Sequence, residues 1–136
     1  MIKPIVRDTF FLSQKSDEAT KADLPIAQDL EDTLKANRDH CVGMAANMIG
    51  YRKRIIIVAT GFADMIMINP IITGRSEPYE AEEGCLSLSG TRKTTRYNRI
   101  TVDYLDIKFA KQTQSFAGQI AQIIQHECDH LEGILI

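Results

Sequence analysis

The chain has 136 residues, 44% hydrophobic and 25% charged, with a formal net charge of −2. That size and apolar share suit one compact domain, 1–136, which buries enough surface to fold without staples. The charge offers no basic footprint for nucleic acid and no apolar run approaches membrane-spanning length, so neither partner is expected. Three cysteines form an odd set without disulfide spacing, and the start Met1-Ile2-Lys3-Pro4 carries no signal-peptide core; both suit a reducing cytoplasm.

In chain order, Asp23-Leu24-Pro25 predicts a helix start, with Leu24, Ala27, Leu30 and Leu34 recurring at helical spacing toward Asn37. The basic cluster Tyr51-Arg52-Lys53-Arg54 reads as a turn before a strand, and Ile55 to Ala59 is a short β-branched run. After a Gly61 turn, Met65 to Ile68 is a second strand, closed by Asn69-Pro70. Ile71 to Gly74 begins a third extended piece. Arg96 to Asp106 alternates through Ile100, Val102 and Tyr104 as a half-buried strand, and a terminal helix from Ser115 to Leu131 closes the chain, with Ser115 as N-cap and Gly133 as its stop. Short strands with a helix at each end indicate an α+β architecture.

That last helix carries the pentad His126-Glu127-Cys128-Asp129-His130. Histidines at i and i+4 share a helix face, where two imidazole nitrogens can reach one metal ion while the intervening glutamate handles protons. Stepping about 100° per residue puts Phe116, Ile120, Ile123, Ile124 and Leu131 in one core-facing arc, with Glu127 inside it. A carboxylate aimed at an apolar core is costly unless paired or protonated, which argues for a metal site or an acid/base role. His126 and His130 lie on one shoulder of the stripe. Cys128 projects roughly opposite, as a small packed side chain rather than a ligand.

A third ligand has to come from upstream, because Leu131 to Ile136 holds no Asp, Cys or His, and Glu132 is too close along the helix to turn back. Glu82-Glu83-Gly84-Cys85-Leu86-Ser87 offers a thiol beside a glycine that lets the backbone approach an ion. A Cys/His/His set leaves one position open, which is a catalytic rather than a structural arrangement. Thiolate and imidazole suit Fe²⁺ and Zn²⁺ alike.

Glu83-Gly84-Cys85-Leu86-Ser87 and Gln125-His126-Glu127-Cys128-Asp129-His130 resemble the second and third signature motifs of peptide deformylases, metalloenzymes that remove the formyl group from N-formylmethionyl peptides. Gly43-Met44-Ala45-Ala46-Asn47-Met48 is similar to their first motif, and the order and spacing agree from about residue 24 onward. The resemblance implies an α+β peptide deformylase-like fold, antiparallel strands packed around a C-terminal metal-binding helix. It also implies one divalent metal ion on Cys85, His126 and His130, Fe²⁺ in cells with Zn²⁺ or Ni²⁺ as alternatives. Glu127 would move the proton, and the Leu86 backbone N–H would polarise the formyl oxygen. Gly43 would admit the substrate backbone and Arg96 would lie near the peptide path. The expected partner is an N-formylmethionyl peptide or nascent chain.

The departures from the family pattern bear on rate and selectivity. The first motif opens with Cys41 in place of glycine and closes with Met48 in place of a glutamine whose amide donates to the oxygen that becomes negative during attack. A thioether cannot donate, and losing one such donor typically costs about 10² to 10³ in turnover. Asn47 is adjacent, but neighbouring side chains point in different directions. Gln119 and Gln122 sit on the metal-side face of the last helix; family members usually have an apolar or aromatic side chain near the Gln119 position, and a more polar wall would weaken a preference for methionine. The chain stops at Ile136, without the C-terminal tail thought to help relatives dock on the ribosome, so that docking is not expected. The expectation is therefore a deformylase with reduced activity. The alternative is an impaired paralogue that binds metal and peptide without efficient turnover. A peptide-bond metalloprotease fits neither the ligand pattern nor the chain length.

Overall fold

A computed structural model describes residues 1–136. Five strands form one antiparallel sheet in sequence order: β1 Gly43–Ala45, β2 Ile55–Ala59, β3 Asp64–Cys85, β4 Leu88–Leu105 and β5 Lys111–Ala117. A short helix α1 spans Thr9–Leu12, α2 spans Leu24–Ala36, and α3 spans Gly118–Leu131. Both α2 and α3 contact β2. That double cover explains its unbroken apolar run, because Ile55, Ile56, Ile57 and Val58 are all fully buried. From α2, Ile26, Leu30 and Leu34 join the same core, and from α3 Ala121, Ile123, Ile124 and Leu131 do so. The helix start at Leu24-Pro25 and the β2 boundaries agree with the sequence expectation. Of the three basic side chains after Tyr51, Arg52 pairs with Asp17, Lys53 with Asp23 and Arg54 with Glu132.

Asn69-Pro70 does not end a strand. β3 runs through it, with a register shift between Ile68 and Ile71 where the proline's missing N–H is tolerated. Asn69 adopts φ +51°, and its side chain pairs with Ala19 as a backbone would: Nδ2 donates to the Ala19 carbonyl at 3.0 Å and Oδ1 accepts the Ala19 N–H at 2.8 Å. The bulge lets the same strand leave β2 and continue as a long hairpin with β4, whose two-residue turn is Leu86-Ser87. The strand expected from Arg96 thus begins eight residues earlier, at Leu88.

Ser115 is not a helix cap. It lies in β5 opposite Thr101, with the two hydroxyls 3.2 Å apart, and the helix begins at Gly118 with Ala117 as its N-cap. Phe116 accordingly packs from the sheet, opposite Ile100, rather than from the helical stripe. Gly118 at φ +65° turns the chain from strand into helix. The far end stops as expected: Gly133, at φ +76°, donates to His130 O at 3.0 Å and Ile134 donates to Asp129 O at 3.0 Å, a Schellman closure. No helix is long and apolar enough to cross a membrane.

Candidate active site

Two elements far apart in sequence supply the centre. β3 ends at Cys85, just before the hairpin turn, and α3 crosses the sheet with His126, Glu127 and His130 facing inward. Cys85 Sγ lies 3.4 Å from His130 Nε2, which is 3.1 Å from His126 Nε2. All three donor atoms fall within 4.8 Å of one another. Bonds of about 2.05 Å to nitrogen and 2.3 Å to sulfur around a tetrahedral ion place such atoms roughly 3.3 to 3.6 Å apart, so the donor set fits a single divalent cation. The rings stand nearly perpendicular, at 76°, with their Nε2 atoms turned toward each other.

His126 is oriented from behind by Glu83, whose Oε1 meets Nδ1 at 2.8 Å and leaves Nε2 for the ion. Arg96 holds Glu83 through both Nε and Nη2, and its Nη1 reaches Asp129 at 2.7 Å. Gln122 Nε2 also donates to Glu83 Oε2, at 2.8 Å. Arg96, expected along the peptide path, is 3% exposed and does not line the cavity; it lies beneath the site and fixes the residue that orients His126. Sequence reading missed Glu83. The signal was present, because Glu83 and Cys85 are two apart on a strand and so share a face.

The charge of these side chains follows from this network. Burial raises the Glu83 carboxyl, but hydrogen bonds from His126, Arg96 and Gln122 outweigh it and bring the value down to about 2. Burial lowers His126, yet its contacts with Cys85 and Glu83 raise it to about 10, while burial and the neighbouring His126 cation depress His130 to about 3. Glu127, 4% exposed, is pushed up to about 7 chiefly by burial, and its Oε1 has no protein partner. A buried carboxyl with an unused oxygen beside two converging imidazoles is built to exchange a proton with something in the cavity. Glu83→Gln is expected to weaken zinc binding about 10- to 100-fold, read by competition with a chromophoric chelator, since the partner that orients the histidine loses its charge.

The cavity in front of this centre encloses about 290 Å³, and Cys85, Leu86, Gly43, Met48, His126 and Glu127 all line it. The Leu86 N–H, in the turn beside the ligand sulfur, meets no acceptor in the chain. Gly43 presses against α3: a Cβ there would meet Ile123 Cγ2 at 2.6 Å and Glu127 Oε2 at 3.0 Å. Met48 is 1% exposed, and its sulfur accepts the Ala45 N–H at 3.5 Å. Asn47 turns away and donates to His130 O at 3.0 Å, so it holds the end of α3 and offers nothing to the cavity. Cys41 also lines the cavity; its Sγ donates to Gly43 O at 2.7 Å, and burial pushes its thiol up to about 12. Cys128, raised to about 12 by burial, packs against the core from another side of α3 and takes no part in the cavity.

A Cys/His/His cluster with one open direction and a buried carboxylate alongside defines a mononuclear metallohydrolase on an α+β scaffold. The family model for polypeptide deformylase matches residues 2–136, and the chain belongs to that family, whose enzymes remove formyl groups. A peptide deformylase of Clostridium beijerinckii is 60% identical over the full length of both chains, and one from Chlorobium phaeovibrioides is 31% identical over 99% of this chain and 76% of its own. Among solved structures, the Met-Ala-Ser-bound class I type b peptide deformylase of Acinetobacter baumannii superposes with TM-score 0.90 at 29% identity, covering 99% of this chain and 97% of the other. The Thermotoga maritima peptide deformylase gives TM-score 0.88 at 29% identity, covering 99% and 95% respectively.

Proposed function

We propose that residues 1–136 act as one domain that hydrolyses the formamide bond of N-formylmethionyl peptides or nascent chains in the cytoplasm, with Cys85, His126 and His130 holding one divalent cation. The convergence of those three donor atoms within 4.8 Å is the observation that carries the reading. When bound, the cation supplies Lewis acidity that brings the pKa of a water toward neutrality. Ferrous iron is the cation of choice in cells, and zinc or nickel suits the same donors.

Glu127 takes a proton from the attacking water and returns it to the departing amine. Its burial supports this role, because desolvation raises the carboxyl and makes it better able to hold a proton. The Leu86 N–H donates to the formyl oxygen as charge builds on it. Gly43, with no side chain between β1 and α3, lets Glu127 close on β1, and it lines the cavity where the peptide backbone would pass. Glu83, held by Arg96, keeps His126 in the tautomer that presents Nε2. The Met-Ala-Ser peptide bound to the Acinetobacter neighbour supports a formylated peptide as substrate.

Turnover is proposed to be slow, since Met48 stands in the cavity without a donor. The test is anaerobic, iron-loaded protein on formyl-Met-Ala-Ser, with formate release as the readout. Formate should appear, a chelator should stop it, and added Fe²⁺ should restore it. Metal-loaded protein that binds the tripeptide but releases no formate would leave the binding paralogue as the better reading.

A further inference from the structure

The cavity wall upstream of the metal ligands is polar where it should meet a substrate side chain. Gln122 and Gln119 precede His126 by four and seven residues on α3, about one and two turns, hence roughly 6 and 10 Å along the same face. From a formyl carbon at the ligand cluster to the end of an extended methionine side chain is six bonds, roughly 7 to 8 Å with bonds near 1.5 Å. A methionine side chain that starts from the ligand cluster is therefore long enough to reach the turns of α3 that carry these two amides. Gln122 is committed, its NH₂ donating to Glu83 Oε2 at 2.8 Å. Gln119 lines the same cavity at its solvent-exposed rim, and its amide makes no hydrogen bond within the chain. Val42, Met48, Leu86 and Ile123 supply an apolar sheath below that polar end.

An apolar sheath closed by a free donor matches an unbranched side chain that ends in a strong hydrogen-bond acceptor. Resting on the deformylase reading above, we propose that this pocket accepts N-formyl peptides whose first residue is methionine sulfoxide, with Gln119 Nε2–H donating to the sulfoxide oxygen. Oxidation turns methionine into a polar side chain of the same length, which an all-apolar pocket would reject roughly 10- to 100-fold for want of a partner. The reaction itself is unchanged: water adds, the formyl C–N bond breaks, formate and the free amine leave, and the sulfur keeps its oxidation state. Gln119 acts on which side chain is held, not on the reacting atoms.

The experiment compares kcat/KM of the iron-loaded protein on formyl-Met-Ala-Ser and formyl-Met(O)-Ala-Ser. The two values should lie within about threefold of each other, and Gln119→Leu should lower the sulfoxide-to-thioether ratio about tenfold by removing one hydrogen bond. Gln119→Arg, which restores a donor, should bring the ratio back. A preference of the parent for the thioether above about threefold, or a Gln119→Leu variant with an unchanged ratio, would overturn the proposal. If neither peptide is hydrolysed the hydrolytic reading fails separately. The ratio is then taken from dissociation constants of Met-Ala-Ser and Met(O)-Ala-Ser measured by calorimetry on the same loaded protein, and the same tenfold criterion decides.

Discussion

Replacing Glu127 with alanine is expected to lower kcat/KM for formyl-Met-Ala-Ser by about 10² to 10⁴, the range for loss of a positioned general acid/base. The carboxyl lines the cavity beside the two imidazoles, is buried, and has an oxygen left without a partner. It makes no hydrogen bond to any ligand residue, so metal content should stay near that of the parent. Formate release measured together with bound iron separates the two effects. A variant that keeps its metal and most of its activity would show that the proton travels by another route, and one that loses its metal would show that Glu127 supports the cage.

Met48→Gln is expected to act in the opposite direction and raise turnover tenfold or more, up to about 10²- to 10³-fold, the usual worth of one donor to a developing oxyanion. Met48 lines the cavity with its sulfur accepting the buried Ala45 N–H at 3.5 Å. A glutamine oxygen can accept that N–H instead, which leaves the NH₂ group for the substrate oxygen. The Leu86 N–H is the donor proposed for that oxygen, and Asn47 cannot help because its amide donates to His130 O. The gain should appear in kcat, since the donor strengthens its contact only as charge develops. An unchanged or lower kcat in a folded, metal-loaded variant would mean that Met48 is not where the oxyanion is stabilised.

Helix α2, strand β2 and the paired histidines of α3 were legible before any coordinates. Each depends on local spacing: Pro25 with Leu30 and Leu34, four consecutive β-branched residues, and two histidines one turn apart. Cys85 could be reached by elimination, because nothing after His130 can ligate. β5 was misread because Gln112, Thr113, Gln114 and Ser115 form an exposed strand whose alternation is polar on both faces, leaving no hydrophobic period to detect. Asn69-Pro70 looked like an ending because its continuation depends on a partner fifty residues away, Ala19, that satisfies the asparagine amide.

From its residues alone, the chain declares a helix with two histidines on one face, an upstream thiol as their candidate companion and a carboxylate turned toward the core, since helical periodicity is a short-range property and the cost of an apolar-facing carboxylate holds in any fold. The tertiary structure alone decides that Glu83, Arg96 and Asp129 form one buried ion-pair network behind His126, and that Asn47 braces the end of α3 while Met48 faces the cavity. Charged residues scattered over two strands and a helix look like solvent-facing groups one at a time. Only the antiparallel pairing of β3 with β4, and the crossing of α3 over both, removes them from water and obliges them to find each other.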